Sequence, residues 1–197
     1  MPSSRKELLL VMTKYAGLEG TCALVRDKRR DLAERFSPRF LNRTLKLEEE
    51  LSNDADREIA GHYECVGLSE AGEKGIFASL WELASDLGLG LEADLRKISL
   101  RQESIEVTNY LDVNPYEISS GGVLLIAVKR DEAGSLLDEL DGASINADII
   151  GSFNEGNDRV LLNRGAVRFL TPVKRIEDEI KLRNSQKSSG KVADQSW

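Results

Sequence analysis

The chain has 197 residues, of which 41% are hydrophobic and 31% are charged, a composition typical of one generous soluble globular domain. Its 27 basic and 34 acidic residues give a net charge of -7, which repels the phosphate backbone of nucleic acids. The best basic cluster, residues 26–30, is interrupted by Asp27, so it indicates a solvated helical face and we expect no nucleic-acid partner.

The first third of the chain is predicted to contain one strand followed by helices. Residues 7–14 are rich in aliphatic side chains and predict a strand. The same run is too short for a secretory signal, so we expect a cytoplasmic location without membrane association. Apolar spacing predicts three helical segments over residues 18–47, with a break at Pro38. Asn53 and the acids after it predict a short helix to Ala60.

The middle of the chain is predicted to alternate strands with helices. Residues 62–68 alternate weakly between apolar and polar side chains and predict a second strand, in which His62 is structural. Apolar residues over 76–87 fall on one helical face, and the glycines that follow end this helix. A strand over residues 89–94 and a helix over 101–111 come next.

The last part is predicted to be organised around one buried strand. Residues 123–128 are six apolar residues in a row, too few to cross a membrane, and they predict a central strand. An amphipathic helix over 133–140, a strand over 145–153 and a hairpin about residues 163–165 follow. This interleaving predicts an α/β (α+β) sandwich, a mixed β-sheet covered by helices.

We expect one domain over residues 1–180. Residues 181–197 are rich in Ser, Lys, Gln and Gly and cannot bury enough apolar area, so they are predicted to be a flexible tail. Cys22 and Cys65 have no partner motif and are predicted to be reduced core residues, with neither a disulfide framework nor a zinc site.

Several familiar catalytic motifs are missing from the sequence. The single histidine, His62, rules out a two-histidine zinc helix. Gly67 and Gly72 have the spacing of a phosphate-binding loop, but Glu73 stands where its lysine should be. No serine lies in a G-x-S-x-G elbow. These observations leave two polar, glycine-containing loops as candidate sites.

The first candidate, the 69–75 loop, lies between the second predicted strand and the clearest helix. Backbone N–H groups at such a position can bind an anion. Glu70 and Glu73 oppose direct phosphate contact, although Glu70 is a possible metal ligand. The alternative is a plain strand-to-helix turn in which Glu73 favours the helix N-terminus.

The second candidate, the 119–122 loop, precedes the central strand and offers hydroxyl groups and small residues that permit close ligand approach. A glycine pair at this position also occurs in plain bulges and turns. The candidate cleft residues of the two loops are Ser69, Glu70, Gly72, Glu73, Gly75, Asn114, Ser119, Ser120, Gly121 and Gly122.

Four segments in order resemble the C-terminal domain of the aminoimidazole ribonucleotide (AIR) synthetase, or PurM-like, superfamily. They read KYAGLEGT at residues 14–21, GIFASLWELASDLGLGLEAD at 75–94, NPYEISSGGVLLIAV at 114–128 and ADIIGS at 147–152. The branch they resemble is that of the AIR synthase-related and HypE-type hydrogenase maturation proteins. The resemblance covers roughly residues 8–152 and implies a PurM C-terminal-domain-like fold.

The resemblance implies an ATP-dependent family, in which the terminal phosphate of Mg-ATP activates a carbonyl or amide oxygen. It also implies an N-terminal domain that carries most ATP and magnesium contacts and pairs in a dimer. Since the first predicted strand starts almost at Met1, we expect that domain to be absent. The chain alone is then expected to be inactive and to bind no cofactor. The missing domain is a possible partner, in cis or in trans, and the chain is a possible homodimer.

The chain departs from the family pattern in the 69–75 loop. Where relatives commonly show a histidine-aspartate, a threonine and paired glycines, this chain has Ser69, Glu70, Gly72 and Lys74, and only Gly75 is kept. HypE-type proteins also end in a cysteine, so their thiocarbamate-to-nitrile chemistry is not implied for a chain ending in tryptophan.

The expected function is to complete an ATP or substrate cleft without being catalytic alone. The alternative is a non-catalytic binding or assembly module that has lost the nucleotide site. A third possibility is an ATP-dependent enzyme completed by a separately encoded N-terminal domain.

Overall fold

A computed structural model describes residues 8–172. Within this range seven strands form, namely β1 (Leu8–Thr13), β2 (Cys65–Glu70), β3 (Gly90–Asp94), β4 (Leu124–Lys129), β5 (Ala147–Asn154), β6 (Arg159–Asn163) and β7 (Ala166–Phe169). The helices of the same range are α1 (Leu18–Asp27), α2 (Arg29–Leu32), α3 (Pro38–Lys46), α4 (Asp54–Ala60), α5 (Gly75–Asp86), α6 (Gln102–Tyr110) and α7 (Arg130–Gly142). Short 3-10 helices follow α3 at Leu47–Glu50 and β3 at Leu95–Lys97.

The strands form one sheet in the order β2-β4-β1-β5-β3-β6-β7. Among the described residues, β3 and β6 are parallel and the other neighbours are antiparallel, so the prediction of a mixed sheet is confirmed. The prediction that β4 is central is wrong in position, because β5 occupies the middle and β4 lies second from one edge. Its residues from Leu124 to Val128 are nevertheless fully buried, which explains their continuous apolar run.

Helices cover both faces of the sheet, and β1 shows why. All six of its residues are buried, and alternate side chains belong to two separate cores. Leu8, Leu10 and Met12 pack in the core beneath α5. Leu9 and Val11 pack in the core formed with α4 and α7. The predicted sandwich of a helix-covered sheet is therefore confirmed.

The remaining helices pack beside the sheet around a smaller core. Val25, Leu32, Leu41 and Val107 of α1, α2, α3 and α6 are buried together. The predicted break at Pro38 is confirmed because α3 starts there, with proline at its first position. The Ser37 hydroxyl accepts a hydrogen bond from the Phe40 N–H at 3.2 Å and caps this helix.

Two local predictions need correction. Asn53 precedes α4 as predicted, but its side chain does not cap the helix. Its Oδ1 atom accepts instead from Nε of Arg57 at 3.0 Å. The second strand is shifted along the chain, so His62 precedes it and lies 2.7 Å from Oε1 of Glu139, measured from its Nδ1 atom. Ser69 and Glu70 are consequently strand residues.

Within residues 8–172 no helix is both long enough and apolar enough to span a membrane. The predicted flexible tail at residues 181–197 lies outside the described residues.

Candidate functional site

The two candidate loops meet at one end of the sheet. The Ser120 N–H donates a hydrogen bond to the carbonyl oxygen of Gly72 at 3.2 Å. The Gly122 N–H donates to Oε1 of Glu70, also at 3.2 Å. Because β2 and β4 are neighbouring antiparallel strands, the end of β2 lies beside the start of β4. The fold thus brings together residues that are about 50 positions apart in the sequence.

Carboxylates of the chain itself occupy the N–H groups of the glycine pair. Oε2 of Glu19, in the first turn of α1, accepts from the Gly121 N–H at 3.2 Å and from the Ser119 hydroxyl. Glu70 binds the Gly122 N–H on the other side. Both N–H groups of the glycine pair therefore have carboxylate acceptors from within the chain. Sequence reasoning missed Glu19, although it lies in the KYAGLEGT segment.

Ser120 is a structural residue of this loop. Its side chain is fully buried, and Oγ accepts from the Gly17 N–H at 2.9 Å while donating to the Ile118 carbonyl at 3.2 Å. Gly17 has a φ of 70°, a left-handed conformation that suits glycine. The bond from Gly17 therefore fastens the loop to the start of α1, and the bond to Ile118 holds the loop's own conformation.

The N-terminus of α5 is also occupied from within the chain. The carbonyl oxygen of Tyr116 accepts from the Ile76 N–H at 2.9 Å, and the Gly72 carbonyl accepts from the Gly75 N–H at 3.1 Å. Asn114 shapes the turn that contains Tyr116, since its Oδ1 atom accepts a hydrogen bond from the Tyr116 N–H at 3.1 Å. These contacts favour the interpretation of the 69–75 loop as a strand-to-helix turn over that of an anion site.

Glu70 is the most strongly engaged of the candidate residues. Its Oε2 atom pairs with Nη2 of Arg57 at 3.0 Å. The side-chain amide of Asn53, followed by the Gly122 N–H and Arg57, lowers the pKa of the Glu70 carboxyl. Nδ2 of Asn53 has no hydrogen-bond partner within residues 8–172, so the hydrogen bonds that hold the carboxylate are those from Gly122 and Arg57.

Other parts of the 69–75 loop are more accessible. The Ser69 hydroxyl donates over a long 3.5 Å to the carbonyl oxygen of Glu70. Gly72 and Glu73 are exposed, and the space around the Cα of Gly72 is open. These positions are therefore the ones at which the loop remains accessible to a ligand or to another chain.

A largely buried ion pair between Lys14 and Asp56 was not predicted from the sequence. Nζ of Lys14 is 3.1 Å from Oδ1 of Asp56, whose side chain is almost fully buried, and it also donates to the Ser52 carbonyl. Oδ2 of Asp56 has no hydrogen-bond partner within the described residues. The sequence predicted only that Asp56 helps to start a helix. Its pairing with Lys14 could not be predicted, because the two residues come together only in the folded chain.

The described residues do not by themselves fit Mg-ATP. No group of three or more His, Cys, Asp or Glu residues within 8–172 is arranged to hold a metal. Glu70, the possible metal ligand, has both carboxylate oxygens engaged by Arg57 and Gly122. Phosphate groups would meet the carboxylates of Glu19 and Glu70 at the glycine pair.

Comparison with known proteins places these features in a family. The family model described as "AIR synthase related protein, C-terminal domain" matches residues 5–162. Phosphoribosylformylglycinamidine synthase subunit PurL of Macrococcus caseolyticus (strain JCSC5402) is 27% identical over 119 residues, which are 59% of this chain and 15% of that protein.

Solved structures share the fold. HypE of E. coli, a hydrogenase maturation protein, has a TM-score of 0.70 at 19% identity, covering 86% of this chain and 51% of its own. A HypE structure in complex with ATP has a TM-score of 0.63 at 16% identity, covering 90% of this chain and 55% of its own. The chain therefore spans about half the length of these structural relatives.

Proposed function

The chain belongs to the family of AIR synthase related proteins, as their C-terminal domain, and from this premise we propose that it forms one wall of a nucleotide or substrate cleft. The other wall is supplied by an ATP-binding domain, joined to this chain in cis or contributed in trans. Relatives of known structure support this proposal, because a HypE protein and a PurL protein have been solved with ATP and this chain spans only part of each.

The observation that carries the proposal is the occupation of the glycine pair by Glu19 and Glu70. Two carboxylates held at the N–H groups of Gly121 and Gly122 leave no vacant anion site there. A phosphate-bearing ligand would need cations or a metal from another domain to offset their charge. The proposed role of the chain is therefore to shape and position the cleft.

The side chains of the 69–75 loop support a role in which the isolated chain is not catalytic. The hydroxyl of Ser69 cannot serve as a proton carrier near neutral pH. Glu70 is ionised and paired with Arg57, so it is poorly suited to give or take a proton near pH 7. Phosphoryl activation of a carbonyl or amide oxygen, the chemistry implied by the family resemblance, would accordingly depend on the completed assembly.

The proposal is tested by purifying the protein from native extract, with gel filtration and mass spectrometry of the intact assembly. We expect an ATP-binding domain of the AIR synthetase type to accompany the chain, either in the same polypeptide or as a separate subunit. Recovery of the chain without any such domain would overturn the proposal.

The second candidate is a binding or assembly module, and the edge strand β2 favours it. Its outer edge has no neighbouring strand within the described residues, and Val66 and Leu68 are 51% and 39% exposed. Exposed strand edges with apolar side chains are templates for pairing with another chain. Full rescue of a deletion strain by the Glu70→Ala, Glu73→Ala double variant would favour the module, whereas failed rescue by a variant with a native circular dichroism spectrum would favour the cleft.

A further inference from the structure

A cleft of about 420 Å³ opens between the first turn of α5, the loop at Glu117 and the end of β7. Sites for small molecules usually have volumes of roughly 300–1,000 Å³, so this cleft is large enough for a compact ligand. Neither Glu19 nor Glu70 lines it, and nor do residues 119–122. We call it the α5–β7 cleft, and it shares Lys74 with the 69–75 loop but none of the residues at the glycine pair.

The walls of the α5–β7 cleft contain flat surfaces. The ring of Phe77, which lines the cleft, stacks on the ring of Tyr116 with the centroids 5.1 Å apart and an interplanar angle of 14°. The guanidinium group of Arg168 lies 5.3 Å from the centroid of Phe77. Phe169 lines the cleft although 61% of it is exposed. Aromatic rings and guanidinium planes are surfaces on which another flat ring can stack.

The charges of the cleft favour an anion. Lys74 and Arg168 line it against one carboxylate, that of Glu117. The nitrogen-to-oxygen distance between Arg168 and Glu117 is 3.6 Å, and that between Lys74 and Glu82 is 3.9 Å. Exposed ion pairs at these distances contribute little. Both cations can therefore turn towards a ligand, and among the side chains that line the cleft they outnumber the single carboxylate.

We propose that the α5–β7 cleft binds a small anion that carries a flat apolar ring. The ring stacks against Phe169 and the guanidinium plane of Arg168, and the anionic group receives hydrogen bonds from Arg168 and Lys74. A neutral ring lacks the group that these cations recognise, and a bare inorganic anion lacks the stacking surface. This inference does not depend on the proposed cleft between domains, because Glu19, Glu70 and residues 119–122 do not line the α5–β7 cleft.

The test uses the full chain and two-dimensional NMR of its backbone amides, titrated with benzoate up to about 50 mM, since a probe of this size binds weakly. Benzamide and inorganic phosphate are the matched probes that lack the charge or the ring. We expect saturable shifts at residues 74, 77 and 168–170 with benzoate, and about tenfold weaker binding of the other two. Absence of saturable shifts, or equal binding of benzamide or phosphate, would overturn the proposal.

Two variants on the β6–β7 hairpin distinguish specific recognition of the anion from a nonspecific electrostatic effect. Arg168→Gln should weaken benzoate binding about tenfold, and Lys74→Gln should weaken it in the same direction. Arg164→Gln makes the same charge change at the exposed tip between β6 and β7 and should leave binding unchanged. Equal weakening by Arg164→Gln and Arg168→Gln would show a nonspecific charge effect and contradict the site.

Discussion

The backbone N–H of Gly122 donates a hydrogen bond to Oε1 of Glu70 over 3.2 Å and so joins two loops that are 52 positions apart in the sequence. The same carboxylate binds Arg57 through Oε2, which ties the start of β4 and the end of β2 to α4. Glu19 holds the neighbouring Gly121 N–H. This arrangement means that residues proposed to shape a cleft are also residues that hold the end of the sheet together.

Replacing Gly122 by alanine should destabilise the fold. Gly122 has a φ of 85°, and an added Cβ would overlap the carbonyl oxygen of Leu51. Strain in the left-handed region and the displacement of Leu51 should together cost about 2 kcal/mol or more. Urea denaturation measures the loss.

Gly72→Ala is the matched control, because no atom lies within 4 Å of a Cβ built there. This variant should remain within about 0.5 kcal/mol of the wild type. A Gly122→Ala variant as stable as Gly72→Ala would show that the loop conformation is wrong.

Glu70 should make stability depend on pH in the acid range. Because its folded-state pKa is lowered, its contribution is fully present above the unfolded pKa near 4.5 and is lost as pH falls through the folded pKa. The side chain is 44% exposed, so solvent screening makes the effect modest. Urea midpoints measured between about pH 7 and about pH 3 should therefore fall less steeply for Glu70→Gln than for the wild type.

The neighbouring Glu73→Gln variant controls for the loss of one acidic residue in the same loop. Glu73 is exposed, so the urea midpoints of the Glu73→Gln variant should change with pH as those of the wild type do. If Glu70→Gln and the wild type had the same pH dependence, the interactions assigned to the Glu70 carboxylate would be disproved.

The periodic elements and their packing faces could be predicted from the sequence, because helical and strand periods are local properties. The apolar stripe from Ile76 to Leu83 indicates α5, and the continuous apolar run of β4 indicates a strand buried on both faces. The helix start at Pro38 and the turn at Arg164 could also be predicted, because each depends on the backbone conformation of the residues themselves.

The strand order and the contacts of the site depend on the fold as a whole and could not be predicted. Gly121 and Glu19 are 102 positions apart, and no spacing rule relates them. The sequence indicated that the glycine pair can approach a ligand closely, but its N–H groups are occupied by carboxylates from β2 and α1. The pairing of Lys14 with Asp56 likewise requires β1 and α4 to be adjacent.

Removing the carboxylate of Asp56 should destabilise the protein strongly. Asp56→Ala leaves Nζ of Lys14 without its anionic partner in a site where the Lys14 side chain is only 14% exposed. Breaking a buried ion pair from one side typically costs about 3 kcal/mol or more. Thermal and urea denaturation measure this loss.

Asp54→Ala removes an exposed acidic residue from the same helix and should cost less than about 1 kcal/mol. Equal losses for the two variants would contradict a special role for the buried pair.

The two cysteines should differ in reactivity in the folded protein. Burial raises the pKa of the Cys22 thiol to about 11, and Sγ of Cys22 donates to the Thr44 carbonyl at 3.4 Å. Burial also raises the pKa of Cys65, which is partly exposed. With iodoacetamide at about pH 8, Cys65 should be alkylated slowly and Cys22 only after unfolding. Peptide mass spectrometry distinguishes the sites, and rapid native alkylation of Cys22 would contradict its burial.

Calorimetry tests whether this chain supplies only one wall of a nucleotide cleft. Mg-AMPPNP is titrated into the purified chain, which must first show the native amide spectrum. Because Glu19 and Glu70 occupy the N–H groups of the glycine pair, we expect no submicromolar binding by the isolated chain. A submicromolar dissociation constant for one equivalent of nucleotide would contradict the account.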